Sequence, residues 1–133
     1  MSGAEAFFDS NVLIYLLSDD QAKARRAEEL LDRGGTVSVQ VLNEIANVAR
    51  RKCTMPWPEI RDFLATLRAL CAVVPISEAT HDLGLAVAER YSFSIYDGLI
   101  IAAANLTGCS LLYSEDLQNG QTAQGVTIRN PFA

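Results

Sequence analysis

The sequence predicts an α/β fold in which helices cover a mainly parallel sheet. Short apolar or β-branched runs alternate with longer segments of helical periodicity along the whole chain. The 133 residues can bury one sizeable core, and 50% of them are hydrophobic. No internal repeat, low-complexity tract or linker interrupts the pattern. We therefore expect a single domain over residues 1–133.

The first half of the chain predicts two strands and three helices. Ala6–Phe8 is a short apolar run, which is typical of a buried strand. Apolar residues recur at helical spacing between Gln21 and Arg33, and Gly34 and Gly35 end that helix. The other predicted elements are a helix over Val12–Leu17, a strand over Thr36–Val39 and a helix from about Gln40 to Lys52. Strands followed by helices in this way favour parallel pairing.

The second half of the chain continues the alternation. Pro56 and Pro58 flank Trp57 and mark a hinge, and Pro58 suits the first turn of a helix. Ser77 is a favoured N-cap residue for a helix that begins at Glu78. The remaining predicted elements are the helix from Pro58 to about Leu70, a strand over Cys71–Ile76, an apolar helix over Gly98–Leu106, a strand over Ser110–Tyr113 and a weak last strand over Val126–Ile128.

The overall charge limits the partners that the surface suits. A net charge of -5 and a pI near 4.7 argue against binding nucleic acid through a broad basic surface. They leave open an enzyme that cuts nucleic acid, because bound divalent cations would offset the negative charge of its site. The basic clusters within 23–26 and 50–52 are expected to be solvated helix faces.

Targeting signals and cysteines bear on the cellular compartment. Met1–Glu5 lack the basic start and apolar stretch of a signal peptide. The longest apolar run, Leu99–Ala104, is too short for a bilayer span, which takes roughly 20 residues. Cys53, Cys71 and Cys109 are odd in number and widely spaced, which predicts buried thiols rather than a disulfide or a zinc site. We therefore expect a cytoplasmic protein without membrane association.

Four acidic residues stand where predicted strands end or helices begin. Asp9 and Asp116 follow strands, and Asp97 opens an apolar helix. Glu44 lies one turn into the helix that follows the second strand. In a parallel sheet, ligands bind outside the carboxyl ends of the strands, so all four carboxylates are expected to meet at one edge.

Each of these acids also has a plain structural explanation. Asp9 and Asp97 suit helix caps, Glu44 suits a solvated helix face, and Asp116 with its neighbour Glu115 suits a polar loop. Together, however, they favour a metal site, because gathered carboxylates repel one another unless divalent cations hold them. Mg²⁺ and Mn²⁺ prefer such oxygen ligands and can activate water for hydrolysis. A metal-dependent hydrolase is therefore the preferred interpretation.

Two other functions fit parts of the pattern. A phosphohydrolase with Asp9 as covalent nucleophile would need a second acid shortly afterwards and a lysine near the later motifs. Position 11 is instead Asn11, and no lysine lies beyond Lys52. A non-catalytic binding module would use the acids only as caps, and the presence of all four counts against it.

Four stretches together resemble the PIN-domain ribonucleases, and within them the VapC-type toxins of bacterial toxin–antitoxin pairs. The matching stretches are Phe8–Ile14, Leu42–Ile45, Tyr96–Ala104 and Tyr113–Leu117. They follow the family's order and spacing over nearly the whole chain, which makes the combined match specific. The resemblance implies a three-layer α/β/α sandwich around a short, mainly parallel sheet.

The resemblance also implies a site and its chemistry. The metal-binding, catalytic carboxylates would be Asp9, Glu44, Asp97 and Asp116. Asn11 and Ser114 would orient them by hydrogen bonds. Bound Mg²⁺ or Mn²⁺ would activate the water that hydrolyses a phosphodiester of RNA. Glu115 is an alternative ligand to Asp116, and the match favours Asp116.

Partners are implied in the same way. Members of the family are commonly homodimers that a small antitoxin, here a VapB-like protein, neutralises through a tail in a hydrophobic groove. Tyr15, Leu16 and Trp57 are candidates for such a groove, although we expect at least two of them to pack in the core. The single histidine, His81, is expected at the surface. The chain departs from the family pattern in its acidity and in Met1–Glu5, which precede the first strand.

Overall fold

The computed structural model describes residues 6–133. Met1–Glu5, on which the predictions about a signal peptide and about the family's usual start depend, lie outside the described residues. The described elements are β1 (Ala6–Phe8), α1 (Ser10–Ile14), a 3-10 turn (Tyr15–Leu17), α2 (Gln21–Asp32), β2 (Thr36–Ser38), α3 (Val39–Arg51), α4 (Trp57–Leu70), β3 (Ala72–Val74), α5 (Glu78–Tyr91), α6 (Ile95–Leu106), β4 (Leu111–Tyr113), β5 (Thr122–Ala123) and β6 (Val126–Arg129).

The strands form one sheet in the order β3-β2-β1-β4-β6-β5. The neighbouring pairs from β3 through to β6 are parallel, with β1 between β2 and β4. β5 pairs with β6 in the antiparallel direction through a turn at Gln124 and Gly125, whose φ angles of 52° and 74° suit a two-residue hairpin. The predicted mainly parallel sheet is confirmed, and β5, only two residues long, was not predicted.

Helices cover both faces of the central strands. Successive side chains of a strand point to opposite faces, yet Phe7 and Phe8 are both fully buried. Leu112 of β4 and Ile128 of β6 are also fully buried and belong to the same core. Strands covered on both faces are apolar throughout rather than alternating, which explains the run Ala6–Phe8. The sandwich arrangement expected from the sequence is therefore confirmed.

Capping side chains decide where two of the helices begin. The Ser38 hydroxyl accepts a hydrogen bond from the Val41 N–H at 3.2 Å, so Ser38 caps α3. Val39 is therefore helical, and its assignment to the preceding strand was wrong. Ser77 caps α5 as predicted, and the Thr80 hydroxyl completes a capping box with it.

Two predictions in the middle of the chain are corrected. β3 is shorter than the predicted strand Cys71–Ile76. Cys71 and Cys109 are buried as predicted, and burial raises the pKa of the Cys71 thiol to about 11. Cys53 is exposed, because it lies in the turn between α3 and α4 rather than in an element that packs on the core.

The side chain of His81 is exposed on α5, as predicted. Within residues 6–133, no helix combines the length and apolar character that a bilayer span requires.

Helices α5 and α6 approach each other closely because glycines lie at their contact. A Cβ atom on Gly98 would stand 2.5 Å from the carbonyl oxygen of Gly84 and 3.0 Å from the Cβ of Ala88. A Cβ atom on Gly84 would stand 2.6 Å from the Cδ2 of Leu99. Gly98 follows Asp97 directly, so this contact also sets the position of the acidic first turn of α6.

We expect Gly98→Ala to lower the free energy of unfolding by on the order of 2 kcal/mol. The added methyl group would overlap a backbone oxygen of α5, and the better helix propensity of Ala only partly offsets this. Urea unfolding followed by circular dichroism measures the change. The control Ala86→Leu adds more volume at an exposed position of α5, keeps a good helix former there, and should stay within about 0.5 kcal/mol of the wild type. Equal stability of Gly98→Ala and the wild type would contradict a tight contact.

Candidate functional site

Asp9 lies at the carboxyl end of the central strand β1. Its backbone N–H donates to the carbonyl oxygen of Tyr113 at 3.0 Å, so the pairing of β1 with β4 continues to this residue. Its backbone is extended, and its carboxylate Oδ1 accepts from the Ser10 N–H at 2.8 Å. Asp9 therefore caps α1 with one oxygen, which leaves the other oxygen for different partners.

Ser114 and Asn11 hold the second oxygen of Asp9. Asp9 Oδ2 accepts hydrogen bonds from the Ser114 hydroxyl at 2.9 Å and from the Asn11 amide at 3.2 Å. Ser114 is fully buried beside Asp9, because β1 and β4 pair in register up to the preceding residues. The Asn11 carbonyl oxygen accepts from the backbone N–H of Glu115 at 3.1 Å. Both residues that were predicted to orient the carboxylates thus contact Asp9.

Three further carboxylates line the same cavity as Asp9. They come from different elements: Glu44 from α3, Asp97 from α6 and Asp116 from the loop after β4. The cavity has a volume of about 190 Å³. The structure therefore brings together all four acidic residues that the sequence singled out. We refer to this space as the carboxylate cavity.

Asp97 lies in the first turn of α6 rather than at its cap. The Ser94 hydroxyl accepts from the Asp97 N–H at 3.1 Å, so Ser94 is the N-cap and the helix begins at Ile95. The capping explanation for Asp97 was therefore wrong, and the predicted start at Gly98 was too late. A carboxylate in the first turn of a helix is stabilised by the helix dipole, and here it lines the cavity.

Burial opposes the charge of Asp9. Loss of hydration raises the pKa of Asp9 to about 6, well above its ordinary value. Hydrogen bonds from Ser114 and Ser10 lower this pKa, whereas the charges of Glu44 and Asp116 raise it further. Among the described residues that line the cavity, none is Lys, Arg or His. The carboxylate cavity therefore gathers negative charge without a cation of its own to balance it.

The donor set of the cavity suits a hard divalent cation. Carboxylate oxygens are preferred ligands of Mg²⁺ and Mn²⁺, and a bound cation would keep Asp9 ionised. In the described part of the chain, no three Asp, Glu, His or Cys side chains already stand at the spacing of a metal cage. Mg²⁺ usually keeps several waters and needs only one or two direct carboxylate ligands. The residues present thus fit a hydrated ion rather than a fully enclosed one.

The sequence of the chain matches one protein family. A family model of the PIN domain matches residues 6–123. The chain belongs to the PIN domain family. The resemblance found in the sequence is thereby confirmed, and no curated protein matches this PIN domain in sequence.

Solved structures share the fold of this PIN domain. A toxin–antitoxin complex from Klebsiella pneumoniae is 21% identical, with a TM-score of 0.73 over 95% of this chain and 97% of the other. VapC20 of Mycobacterium tuberculosis, described as a toxin that cleaves the sarcin–ricin loop, is 18% identical, with a TM-score of 0.67 over 84% and 89% of the two chains. FitAcB of Neisseria gonorrhoeae is 15% identical, with a TM-score of 0.67 over 96% and 98%. At these identities the likeness shows the fold.

Glu115, the alternative ligand to Asp116, forms hydrogen bonds with residues outside the cavity of this PIN domain. The Lys23 ammonium donates to Glu115 Oε2 at 2.6 Å, and the Tyr15 hydroxyl donates to Oε1 at 2.6 Å. These hydrogen bonds lower the pKa of Glu115. Asp116 lines the cavity and Glu115 does not, so the geometry favours Asp116 as the ligand.

The predicted groove residues lie away from the carboxylate cavity. Leu16 packs against the core, and the ring of Tyr15 packs edge-on against Phe132 with 4.9 Å between centroids. Trp57 is 52% exposed, and the guanidinium group of Arg50 lies 4.9 Å from the centre of its ring. Core packing was expected for at least two of these three residues; it is found for Leu16 but not for Trp57.

The carboxylate cavity also has an apolar part, which the sequence did not predict. Val41, Leu99 and Ile100 line the cavity together with the carboxylates. Ile76 and Tyr96 also line it, and they are 40% and 68% exposed. Ile76 ends an apolar run, a pattern that predicts burial, and Tyr96 stands between Ile95 and Asp97, so neither position carried a clear signal of its exposure.

We expect Asp9 to make the stability of the metal-free PIN domain depend on pH. The pKa of Asp9 is higher in the folded protein than in the unfolded chain, so its contribution to stability is complete only below about pH 4 and is lost as the pH rises from there to about 6. The loss at neutral pH is on the order of 3 kcal/mol. Urea unfolding in EDTA from pH 4 to pH 8 measures it.

The matched variant for this measurement is Asp9→Asn, which cannot ionise. The free energy of unfolding of the wild type minus that of Asp9→Asn should fall between pH 4 and pH 6 and then level off. Parallel pH profiles of the two proteins would contradict a buried, destabilised charge at Asp9.

Proposed function

We propose that this PIN domain is an endoribonuclease that depends on Mg²⁺ or Mn²⁺ and hydrolyses phosphodiester bonds of RNA. The observation that carries the proposal is the carboxylate cavity, where four acids from four elements meet without a neighbouring cation among the described lining residues. Such a concentration of negative charge favours a bound divalent cation. A phosphodiester is a substrate that suits a carboxylate-held Mg²⁺ or Mn²⁺, because phosphate oxygens readily complete its coordination.

The proposed catalytic residues and metal ligands are Asp9, Glu44, Asp97 and Asp116. When bound, the metal would supply an activated water and offset the negative charge that develops on the phosphate. Ser114 and Asn11 hold Asp9 Oδ2, and the Ser10 N–H holds Oδ1, so this carboxylate keeps one orientation. No Ser or His nucleophile is needed for this chemistry.

The acidity of the chain supports phosphate recognition by a bound cation rather than by basic side chains. The chain carries a net charge of -5, and the described lining of the cavity contains no basic residue. A protein that neutralises few phosphates with Lys or Arg releases few counterions when it binds RNA. This favours recognition of one short segment of RNA at the cavity over binding along an extended basic surface.

We further propose that the protein is the toxin of a bacterial type II toxin–antitoxin pair and acts in the cytoplasm. A toxin–antitoxin complex and a toxin described as cleaving the sarcin–ricin loop share its fold, which supports this biological role. A VapB-like antitoxin and a homodimeric state follow from the same family resemblance. A gene for a small DNA-binding protein beside this one would support the assignment.

We expect the purified protein to cleave RNA in Mn²⁺ or Mg²⁺ and to lose this activity in excess EDTA. Asp9→Asn and Asp97→Asn should each lower the cleavage rate by at least about 100-fold, because each removes a charged ligand while keeping the volume of the side chain. Initial rates on a labelled RNA, and arrest of growth on expression in bacteria, measure the effect.

The matched control for these variants is Asp82→Asn, which removes an exposed carboxylate of α5 outside the cavity. It should cleave RNA at the rate of the wild type. Undiminished cleavage by both Asp9→Asn and Asp97→Asn, or cleavage that persists in excess EDTA, would overturn the metal-dependent mechanism.

A further inference from the structure

Three polar side chains form a closed triangle outside the carboxylate cavity. The Lys23 ammonium donates to Glu115 Oε2 at 2.6 Å and to the Tyr15 hydroxyl oxygen at 3.1 Å. The Tyr15 hydroxyl in turn donates to Glu115 Oε1 at 2.6 Å. Each member therefore bonds to both of the others. We call Lys23, Tyr15 and Glu115 the Lys23 cluster.

Aromatic rings hold the ammonium group of this cluster in place. Lys23 Nζ lies 4.6 Å from the ring centroid of Tyr15 and 5.2 Å from that of Phe132. The two rings pack edge-to-face with 4.9 Å between centroids. The side chains of Lys23 and Glu115 are 33% and 25% exposed, so solvent screens this pair less than a fully exposed one.

Glu115 stands between two residues of the proposed site. The backbone N–H of Asp116 donates to the Ser114 hydroxyl oxygen at 3.3 Å, and that hydroxyl donates to Asp9. The backbone N–H of Glu115 donates to the Asn11 carbonyl oxygen at 3.1 Å. The main chain of 114–116 is thus held by Asn11 and Ser114, and the Lys23 cluster holds the one side chain that is directed away from the cavity.

We propose that Lys23 and Tyr15 are positioning residues that hold Glu115 and thereby keep Asp116 in the carboxylate cavity. The inference rests on the proposed function, because the placement of Asp116 affects metal binding only if Asp116 is a ligand. Lys23 does not line the cavity, and its ammonium group is engaged by Glu115 and Tyr15. Those contacts assign it to holding the loop rather than to contacting RNA phosphate.

The direction in which Lys23→Met changes the affinity for Mn²⁺ distinguishes a positioning role of Lys23 from a purely electrostatic one. Lys23→Met removes the positive charge but keeps a flexible apolar chain against the rings. A lysine that acted only through its charge would repel Mn²⁺, so its loss would tighten Mn²⁺ binding. A lysine that positions Asp116 would weaken Mn²⁺ binding when lost.

We expect the dissociation constant for Mn²⁺, measured by isothermal titration calorimetry, to rise on the order of tenfold in Lys23→Met and in Glu115→Gln. The double variant should bind no more weakly than the weaker single variant, because the cluster acts as a unit. The conservative variant Lys23→Arg should retain the affinity of the wild type. The matched control is Glu29→Gln, which breaks the 3.6 Å ion pair between Arg26 and Glu29 on the same helix.

Cleavage kinetics add a readout that a merely structural role would not produce. In Lys23→Met, kcat should fall while KM for RNA changes little, because the loop shifts a metal ligand and not an RNA contact. Tighter Mn²⁺ binding by Lys23→Met, or a loss confined to Glu115→Gln, would overturn the proposal. The latter result would instead make Glu115 a direct ligand.

Hydrogen exchange in EDTA tests the cluster without metal or RNA. The amides of 114–117 should exchange faster in Lys23→Met than in the wild type, and at the wild-type rate in Glu29→Gln. Unchanged exchange in Lys23→Met would overturn the positioning role. Failure of the wild type to bind Mn²⁺ or cleave RNA would overturn the proposed function, and the exchange rates would still decide whether the cluster holds this loop.

Discussion

The buried charge of Asp9 is the constraint on which the rest of the site depends. This carboxylate lies at the end of β1, where burial raises its pKa to about 6 and the charges of Glu44 and Asp116 raise it further. A protein that only needed a helix cap could place Ser or Asn there without that penalty. A cation-binding site, in contrast, requires a carboxylate at this position. The bound cation then offsets the repulsion between Asp9 and the neighbouring carboxylates.

The surrounding structure limits the movement of this carboxylate at several levels. The register of β1 and β4 places Ser114 beside Asp9, and the Asn11 amide links Asp9 to the backbone at Glu115. The Lys23 cluster then holds the outer side of the same loop. On another side of the cavity, the glycine contact between α5 and α6 sets the position of the turn that carries Asp97. A short parallel sheet thus fixes side chains that lie far apart in the sequence.

The sequence predicted those features of the fold and the site that depend on residues close together in the chain. The apolar run of β1, the alternation of strands with helices and the acids at strand ends could all be interpreted from a few neighbouring residues. Contacts between distant segments could not be predicted in this way, since Lys23 and Glu115 are separated by 92 residues and no periodicity connects them. The N-cap of α6 was ambiguous because the sequence offers two capping residues. Ser94 and Asp97 can both cap a helix, and only the hydrogen bond between them shows that Ser94 does so. Cys53 stands between Lys52 and Thr54, so its polar neighbours were a local sign of its exposure. The exposure of Trp57 depended on packing that its neighbours in the sequence did not reveal.

The central claim is that the four carboxylates form a site for a divalent cation. The most direct measurement is anomalous diffraction from crystals of the wild-type protein soaked in Mn²⁺. We predict a manganese peak in the carboxylate cavity, at a coordination distance of roughly 2.1 Å from oxygens of at least one of Asp9, Glu44, Asp97 and Asp116. A protein that cleaves RNA in Mn²⁺ but shows no manganese in this cavity would contradict the account.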